Sequence, residues 1–110
     1  MNVTVDKLCQ IEGFSPVVIC DGDVPVEGVY IGDLLSWVMG RANCSDAWIT
    51  IMSNINILAV ATLSDVACII LAEGVTLDED VKTAAQQKGI NIVATEMSAY
   101  NAALALSKNF

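Results

Sequence analysis

The sequence of 110 residues contains no histidine and few basic side chains. Histidine is the usual base beside a nucleophilic Ser or Cys, so its absence argues against that type of catalysis. Only 5 residues are Lys or Arg, against 13 that are Asp or Glu, and the net charge is -8. Binding to nucleic acid or to an anionic membrane depends on basic side chains that neutralise phosphates. The composition therefore argues against both partners.

Motifs for metal and phosphate binding are also missing. The cysteines are widely spaced, at Cys9, Cys20, Cys44 and Cys68, whereas zinc sites need clustered Cys and His ligands. Neither of the glycine-rich phosphate-binding patterns, GxxxxGK and GxGxxG, occurs. We therefore expect no metal, no cofactor and four reduced thiols.

Long apolar runs are lacking too. None approaches the roughly 20 residues that a membrane helix requires, and the first residues lack the basic-then-apolar order of a signal peptide. Reduced thiols and the lack of a leader predict a cytoplasmic protein. The length predicts a single domain over residues 1–110, since domains most often contain about 100–150 residues.

Apolar residues, by contrast, are abundant. They make up 55% of the chain, and only 16% of residues are charged, compared with about 25% in a typical domain. One small core has no need of so many apolar side chains, and an exposed apolar patch is a liability for a monomer. We therefore expect a homodimer or a larger homo-oligomer.

Strand-like and helix-like segments alternate along most of the chain. After a short first helix that ends at Gly13, apolar or β-branched runs predict strands at 17–20, 26–31, 47–52, 67–71 and 90–94. Helix patterns and capping residues predict helices at 33–39, 54–63, 78–88 and 97–108. This alternation is typical of an α/β fold with a mostly parallel sheet covered by helices.

The helix predicted at 54–63 is apolar around much of its circumference. Such a helix is buried on several sides, in a core or in an interface. We expect Ile57, Val60 and Ala61 to form part of an interface between copies of the chain.

Polar loops follow three of the predicted strands: Gly32-Asp33, Ser53-Asn54 and Thr95-Glu96. In a parallel sheet such loops lie along one edge, where ligands commonly bind. If a small ligand binds this chain, we expect it where these loops converge, near the N–H groups of the helix starts. The Asp33 and Glu96 carboxylates disfavour an anion, so a neutral polar ligand is expected. As an alternative, the same residues only cap their helices.

Several segments resemble the DRTGG domain family, which is similar to the amino-terminal domain of bacterial HPr kinase/phosphorylase. They are GVYIGDLLSWVM (28–39), SDAWITI (45–51), NILAVATLSDVACIILAEGVTLDEDV (56–81) and AAQQKGINIVATEMSAYNAALAL (84–106). The resemblance covers residues 3–106. It implies a three-layer α/β/α sandwich with a sheet of about five strands, and a regulatory or interaction module without chemistry of its own.

The chain departs from the family pattern after the third predicted strand. Where the family carries its glycine-aspartate-arginine phrase, this sequence reads Met52-Ser53-Asn54-Ile55-Asn56. A ligand role for that arginine therefore cannot be carried over. The resemblance implies no kinase activity either, since the sequence contains no P-loop.

Together these features predict a non-catalytic regulatory or adaptor module that stands alone and acts through self-association and protein or small-ligand binding. One alternative is a small-molecule sensor with its site at the ends of the strands. Another is a phosphoacceptor domain that is modified at Ser53. The last alternative is an enzyme, but the sequence contains no catalytic motif that supports it.

Overall fold

The computed structural model describes residues 3–110. Met1 and Asn2, on which the signal-peptide prediction partly depends, lie outside this range. The strands are β1 (Val3–Thr4), β2 (Phe14–Val18), β3 (Pro25–Val26), β4 (Gly28–Ile31), β5 (Asp46–Thr50), β6 (Cys68–Leu71) and β7 (Ile92–Thr95). The helices are α1 (Val5–Cys9), α2 (Leu35–Arg41), α3 (Asn56–Ser64), α4 (Glu79–Lys88) and α5 (Ala99–Ser107).

The main sheet has five strands in the order β2-β7-β6-β5-β4. Strands β4 to β7 run parallel, and each lies beside the strand that follows it in the sequence. Strand β2 closes the other edge and runs antiparallel to β7. The short strands β1 and β3 form a separate antiparallel pair. The predicted five-stranded, mostly parallel sheet is therefore confirmed.

Helices cover both faces of the sheet, which gives the predicted three-layer α/β/α sandwich. Buried residues of α2, α3 and α4 pack with Trp48 on one face. Buried residues of α1 and α5 pack with Ala47 and Ile49 on the other. Because successive side chains of a strand point to opposite faces, the fully buried run of β5 serves both cores. This explains why the central strands read as continuous apolar runs.

Helix α3 is buried more deeply than an interface helix would be. Ile57, Val60 and Ala61 are at most 3% exposed within the single chain, where they pack with Trp48 in the core on that face. They have no surface to offer to a second copy, which corrects the interface predicted for them. The large apolar side chains exposed on this part of the chain are instead Ile55, just before α3, and Leu63 near its end.

The helices are short throughout residues 3–110. The longest, α4, has 10 residues, about half the length needed to cross a bilayer. None of the described helices is long and apolar enough for a membrane span.

Candidate functional site

The carboxyl ends of the four parallel strands lie along one edge of the sheet. All three predicted loops are at this edge, but the strand order divides them. The Gly32-Asp33 and Ser53-Asn54 loops follow the neighbouring strands β4 and β5, whereas Thr95-Glu96 follows β7, on the far side of β6. Since neighbouring strands are about 4.8 Å apart, β5 and β7 are separated by about 10 Å. The three loops therefore do not converge at one point, which corrects the single ligand site predicted from the sequence.

The loops after β4 and β5 lie side by side. We call them the β4–β5 corner, which consists of Gly32, Asp33, Ser53 and Asn54. One carboxylate oxygen of Asp33 accepts hydrogen bonds from the Thr50 hydroxyl at 2.8 Å and from the Ile51 N–H at 2.9 Å. The Gly32 carbonyl accepts a bond of 2.9 Å from the indole N–H of Trp48. These contacts fasten the loop after β4 to the adjacent strand. The hydrogen bonds of Gly32 and Asp33 therefore join the ends of two neighbouring strands.

The alternative interpretation was that the same residues cap the helices that follow them. The N-cap positions instead lie further along the chain. The N-cap positions of α2 and α3 are Leu34 and Ile55, and neither provides a side-chain cap. Ser98 caps α5 by accepting a bond of 3.2 Å from the Asn101 N–H. The Asn54 side chain accepts a bond of 2.9 Å from the Asn56 N–H, which tightens the turn into α3.

The third predicted loop, Thr95-Glu96, borders a cleft of about 250 Å³ beside the end of β7. We call it the β7 cleft, and it includes the predicted residues Thr95 and Glu96. Its lining comes from the start of β2, the end of β7 and the loop between β6 and α4: Gly13, Ser15, Gly74, Val75, Thr76, Ala94, Thr95 and Glu96. These segments meet because β2 runs antiparallel to β7, with Ser15 opposite Ala94.

Backbone hydrogen bonds hold the walls of the β7 cleft in place. The Glu73 N–H donates to the Met97 carbonyl at 2.9 Å, and the Gly74 N–H donates to the Thr95 carbonyl at 3.0 Å. Glu73 and Gly74 both adopt left-handed backbone angles, with φ of 61° and 74°. The buried Thr95 hydroxyl accepts a bond of 3.1 Å from the Met97 N–H. The cleft is therefore formed by the fold itself and does not require a ligand to shape it.

The lining of the β7 cleft offers one carboxylate and several hydrogen-bonding groups. Glu96 is its one ionisable lining residue, and Ser15 and Thr76 add exposed hydroxyl groups. General-base activation of a hydroxyl nucleophile usually depends on histidine, and the sequence contains no histidine. Among residues 3–110, no group of three or more His, Cys, Asp or Glu side chains is placed to hold a metal ion.

A second cavity of about 350 Å³ lies beside Asn91, at the amino-terminal ends of the parallel strands. Asn91 is 4% exposed, and its side chain makes four hydrogen bonds. Its oxygen accepts from the N–H groups of Cys20 at 2.8 Å and Asp21 at 3.0 Å. Its nitrogen donates to the carbonyls of Asp21 at 2.8 Å and Ala67 at 3.1 Å. Asn91 was not among the residues predicted from the sequence, although an amide inside the apolar run GINIVAT is a signal of a buried polar contact.

A group of exposed apolar side chains surrounds the start of α2. We call it the α2 surface; it comprises Ile31, Leu34, Trp37, Ile51 and Ile55, each 47–61% exposed. The Asp33 carboxylate joins the chain after β4, which carries Ile31 and Leu34, to Ile51 at the end of β5 through its bond to the Ile51 N–H. Trp37 follows Leu34 by one helical turn, and the Arg41 guanidinium lies 4.0 Å from the centre of the Trp37 ring.

The model of the DRTGG domain family matches residues 29–108 of this chain. A similar solved structure is the crystal structure of the CBS and DRTGG domains of the regulatory region of Clostridium perfringens pyrophosphatase, complexed with the activator diadenosine tetraphosphate. The TM-score is 0.75 at 15% sequence identity, and the alignment covers 94% of this chain and 45% of that chain. At this identity the likeness shows the fold alone. No curated protein matches the sequence.

Proposed function

Because this chain belongs to the DRTGG domain family, we propose that it is a regulatory module without catalytic activity and that it acts through self-association. The structural neighbour places the same kind of domain in the regulatory region of a larger enzyme. This chain spans less than half the length of that neighbour.

The observation that carries the proposal is the α2 surface. Monomeric proteins rarely expose contiguous apolar patches of more than a few hundred Å². Here, large apolar side chains from the ends of β4 and β5 and from the starts of α2 and α3 are exposed on one corner of the fold. Strand β4 is also an edge strand of the sheet, and an uncovered edge favours pairing with another chain.

Charge supports a second copy of this chain as the occupant of the α2 surface. A net charge of -8 disfavours most contacts between copies, since like charges repel. The α2 surface, however, is flanked by one carboxylate, Asp33, and one guanidinium, Arg41. A two-fold contact brings the same patch on both copies together. Asp33 precedes the start of α2 and Arg41 lies at its end, so an antiparallel contact between two α2 helices would set Arg41 of each copy against Asp33 of the other.

Light scattering at micromolar concentrations tests this proposal. The wild type should have at least twice the chain mass of 11.7 kDa. Leu34→Glu and Trp37→Glu should convert it to a monomer, because each places a carboxylate in an apolar contact. Leu63→Glu is the matched control, since Leu63 is 70% exposed but lies at the far end of α3. A monomeric wild type, or equal disruption by Leu63→Glu, would overturn the proposal.

A second candidate function, binding of a small regulatory ligand, is favoured by the preformed β7 cleft. We retain Thr95 and Glu96 as ligand-binding residues, and we assign Gly32 and Asp33 to the joint between β4 and β5 and Asn54 to the turn into α3. The structural neighbour was solved with diadenosine tetraphosphate. We do not propose that ligand here, because the lining of the β7 cleft includes no Lys or Arg to hold its phosphates.

A further inference from the structure

We propose that the β7 cleft binds a small organic cation, in which an ammonium or guanidinium group is attached to a short uncharged body. This inference rests on the ligand-binding role proposed for the cleft and adds the chemical class of its ligand. It replaces the neutral polar ligand that the sequence led us to expect.

The position of the Glu96 carboxylate supports a cationic ligand. The carboxylate lies over the Gly74 backbone, where a Cβ atom on residue 74 would collide with it. It therefore stands at the junction between the end of β7 and the loop that follows β6, within the lining of the cleft. No basic side chain lines the cleft to neutralise it. Glu96 is an exposed residue, so its carboxylate is accessible to a ligand and would attract a positively charged group.

The surroundings of the β7 cleft have the same sign. Glu12 precedes the lining residue Gly13, Glu73 precedes Gly74, and the first turn of α4 contains Glu79 and Asp80. Lys82 is paired with Glu79 at 3.3 Å. A concave surface lined by one sign of charge raises the local concentration of ligands of the opposite sign. The field around the cleft therefore favours cations and opposes nucleotides and other phosphates.

The remaining lining residues suit the rest of such a ligand. An ammonium group carries three donors and no acceptor, and the hydroxyl oxygens of Ser15 and Thr76 can accept its hydrogen bonds. Val75 and Ala94 provide apolar surface for a short hydrocarbon stem. The volume of about 250 Å³ is below the range of about 300–1,000 Å³ that is usual for drug-sized ligands. The ligand is therefore smaller than a nucleoside.

Amide chemical shifts of the isotope-labelled full chain, followed by NMR, provide the test. The probes are n-butylamine, n-butanol and butyrate, which share a similar stem and differ in charge. Butylamine should shift the amides of Ser15, Thr76 and Glu96 with saturation, and more weakly as salt is added. Butanol and butyrate should bind at least tenfold more weakly.

Variants then separate the cleft from the general acidity of the surface. Glu96→Gln should weaken butylamine binding at least tenfold, whereas Glu73→Gln, which removes a neighbouring carboxylate outside the lining, should change it less than threefold. Ala94→Leu, which fills the cleft, should also abolish binding. Equal weakening by Glu73→Gln and Glu96→Gln, or no effect of Glu96→Gln, would overturn the inference.

The same titrations keep this inference distinct from the proposed ligand-binding function. Saturable binding of butanol or butyrate at the cleft would refute the cation and leave a ligand site in place. If none of the probes shifts the cleft amides, both the cation and the ligand-binding role fail. An Nα-acetyl-lysine amide probe distinguishes the two sources of such a cation. Tighter binding than butylamine points to a lysine side chain of a peptide, and weaker binding points to a free amine.

Discussion

The Thr50 hydroxyl donates a hydrogen bond of 2.8 Å to the Asp33 carboxylate, which ties the loop after β4 to the end of β5. The same carboxylate oxygen accepts the Ile51 N–H, and the Thr50 hydroxyl accepts the Met52 N–H at 3.1 Å. Thr50 is buried, whereas Asp33 is exposed. This chain of bonds fixes the strand ends from which the α2 surface projects.

Asp33→Ala should lower the free energy of unfolding by about 1–2 kcal/mol, since it removes the acceptor of two hydrogen bonds at a partly screened site. Thr50→Val should have a similar effect, and the double variant should lose less than the sum of the two. Urea denaturation measures all three. Asp23→Ala, at an exposed turn, is the control and should stay within about 0.5 kcal/mol of the wild type. Additive losses would show that Asp33 and Thr50 are not coupled.

Asn91→Ala should destabilise the chain much more, by about 2–4 kcal/mol, because it leaves two backbone N–H groups and two carbonyls without their partner. The matched control is Asn109→Ala, whose side chain donates one bond of 2.8 Å to the Ala105 carbonyl at an exposed position. That change should cost less than about 1 kcal/mol. Similar denaturation midpoints for the two variants would contradict a structural role for the Asn91 network.

Strand β2 shows how far the sequence could predict the fold. Its apolar run predicted a strand at 17–20, but the strand begins at Phe14 and passes through Pro16. Proline lacks the N–H group that a central strand needs, and it is tolerated here because β2 is an edge strand. Periodicity found the central strands and the helices, since burial on both faces dictates their composition. Edge positions depend on the neighbouring strand, which local patterns do not identify.

The positions of the candidate site residues in the fold could be predicted only in part, because local patterns do not give the order of the strands. Local patterns correctly placed Asp33, Asn54 and Glu96 beyond strand ends, at one edge of the sheet. They did not predict that β6 lies between β5 and β7, which separates the loops. The cleft also depends on Gly13 and Ser15, which reach it only through the antiparallel pairing of β2 with β7. That contact joins residues about eighty positions apart in the sequence, and no local pattern records it.

Two glycine substitutions should have opposite effects on stability. Gly40 lies in α2, and a Cβ atom there would meet nothing within 4 Å. Gly40→Ala should raise the free energy of unfolding by about 0.5–1 kcal/mol, because alanine favours the helix. Gly74→Ala should lower it by more than about 1 kcal/mol, since the position has a φ of 74° and faces the Glu96 carboxylate. Thermal denaturation of both variants compares them directly, and a stabilising Gly74→Ala would show that the loop can relax.

The thiol of Cys68 should make the chain less stable at alkaline pH. Burial, together with a smaller contribution from the nearby Cys9, raises the pKa of this thiol from 9.0 to about 12. Burial also raises the pKa of the Cys9 thiol. In the unfolded chain, Cys68 loses its proton as the pH passes 9, whereas in the folded chain it keeps the proton until about 12. Its contribution to stability is therefore complete below pH 9 and is lost progressively between pH 9 and 12.

This loss of stability at alkaline pH should be measurable by comparing the wild type with cysteine variants. Over that range the free energy of unfolding should fall by up to about 1.4 kcal/mol per pH unit for the Cys68 thiol alone. Urea denaturation under reducing conditions from pH 8 to pH 10.5 should give a shallower pH dependence for Cys68→Ala than for the wild type. Cys44 is exposed, so Cys44→Ala should keep the wild-type slope. Parallel curves for Cys68→Ala and the wild type would mean that the buried thiol does not resist ionisation in the folded chain.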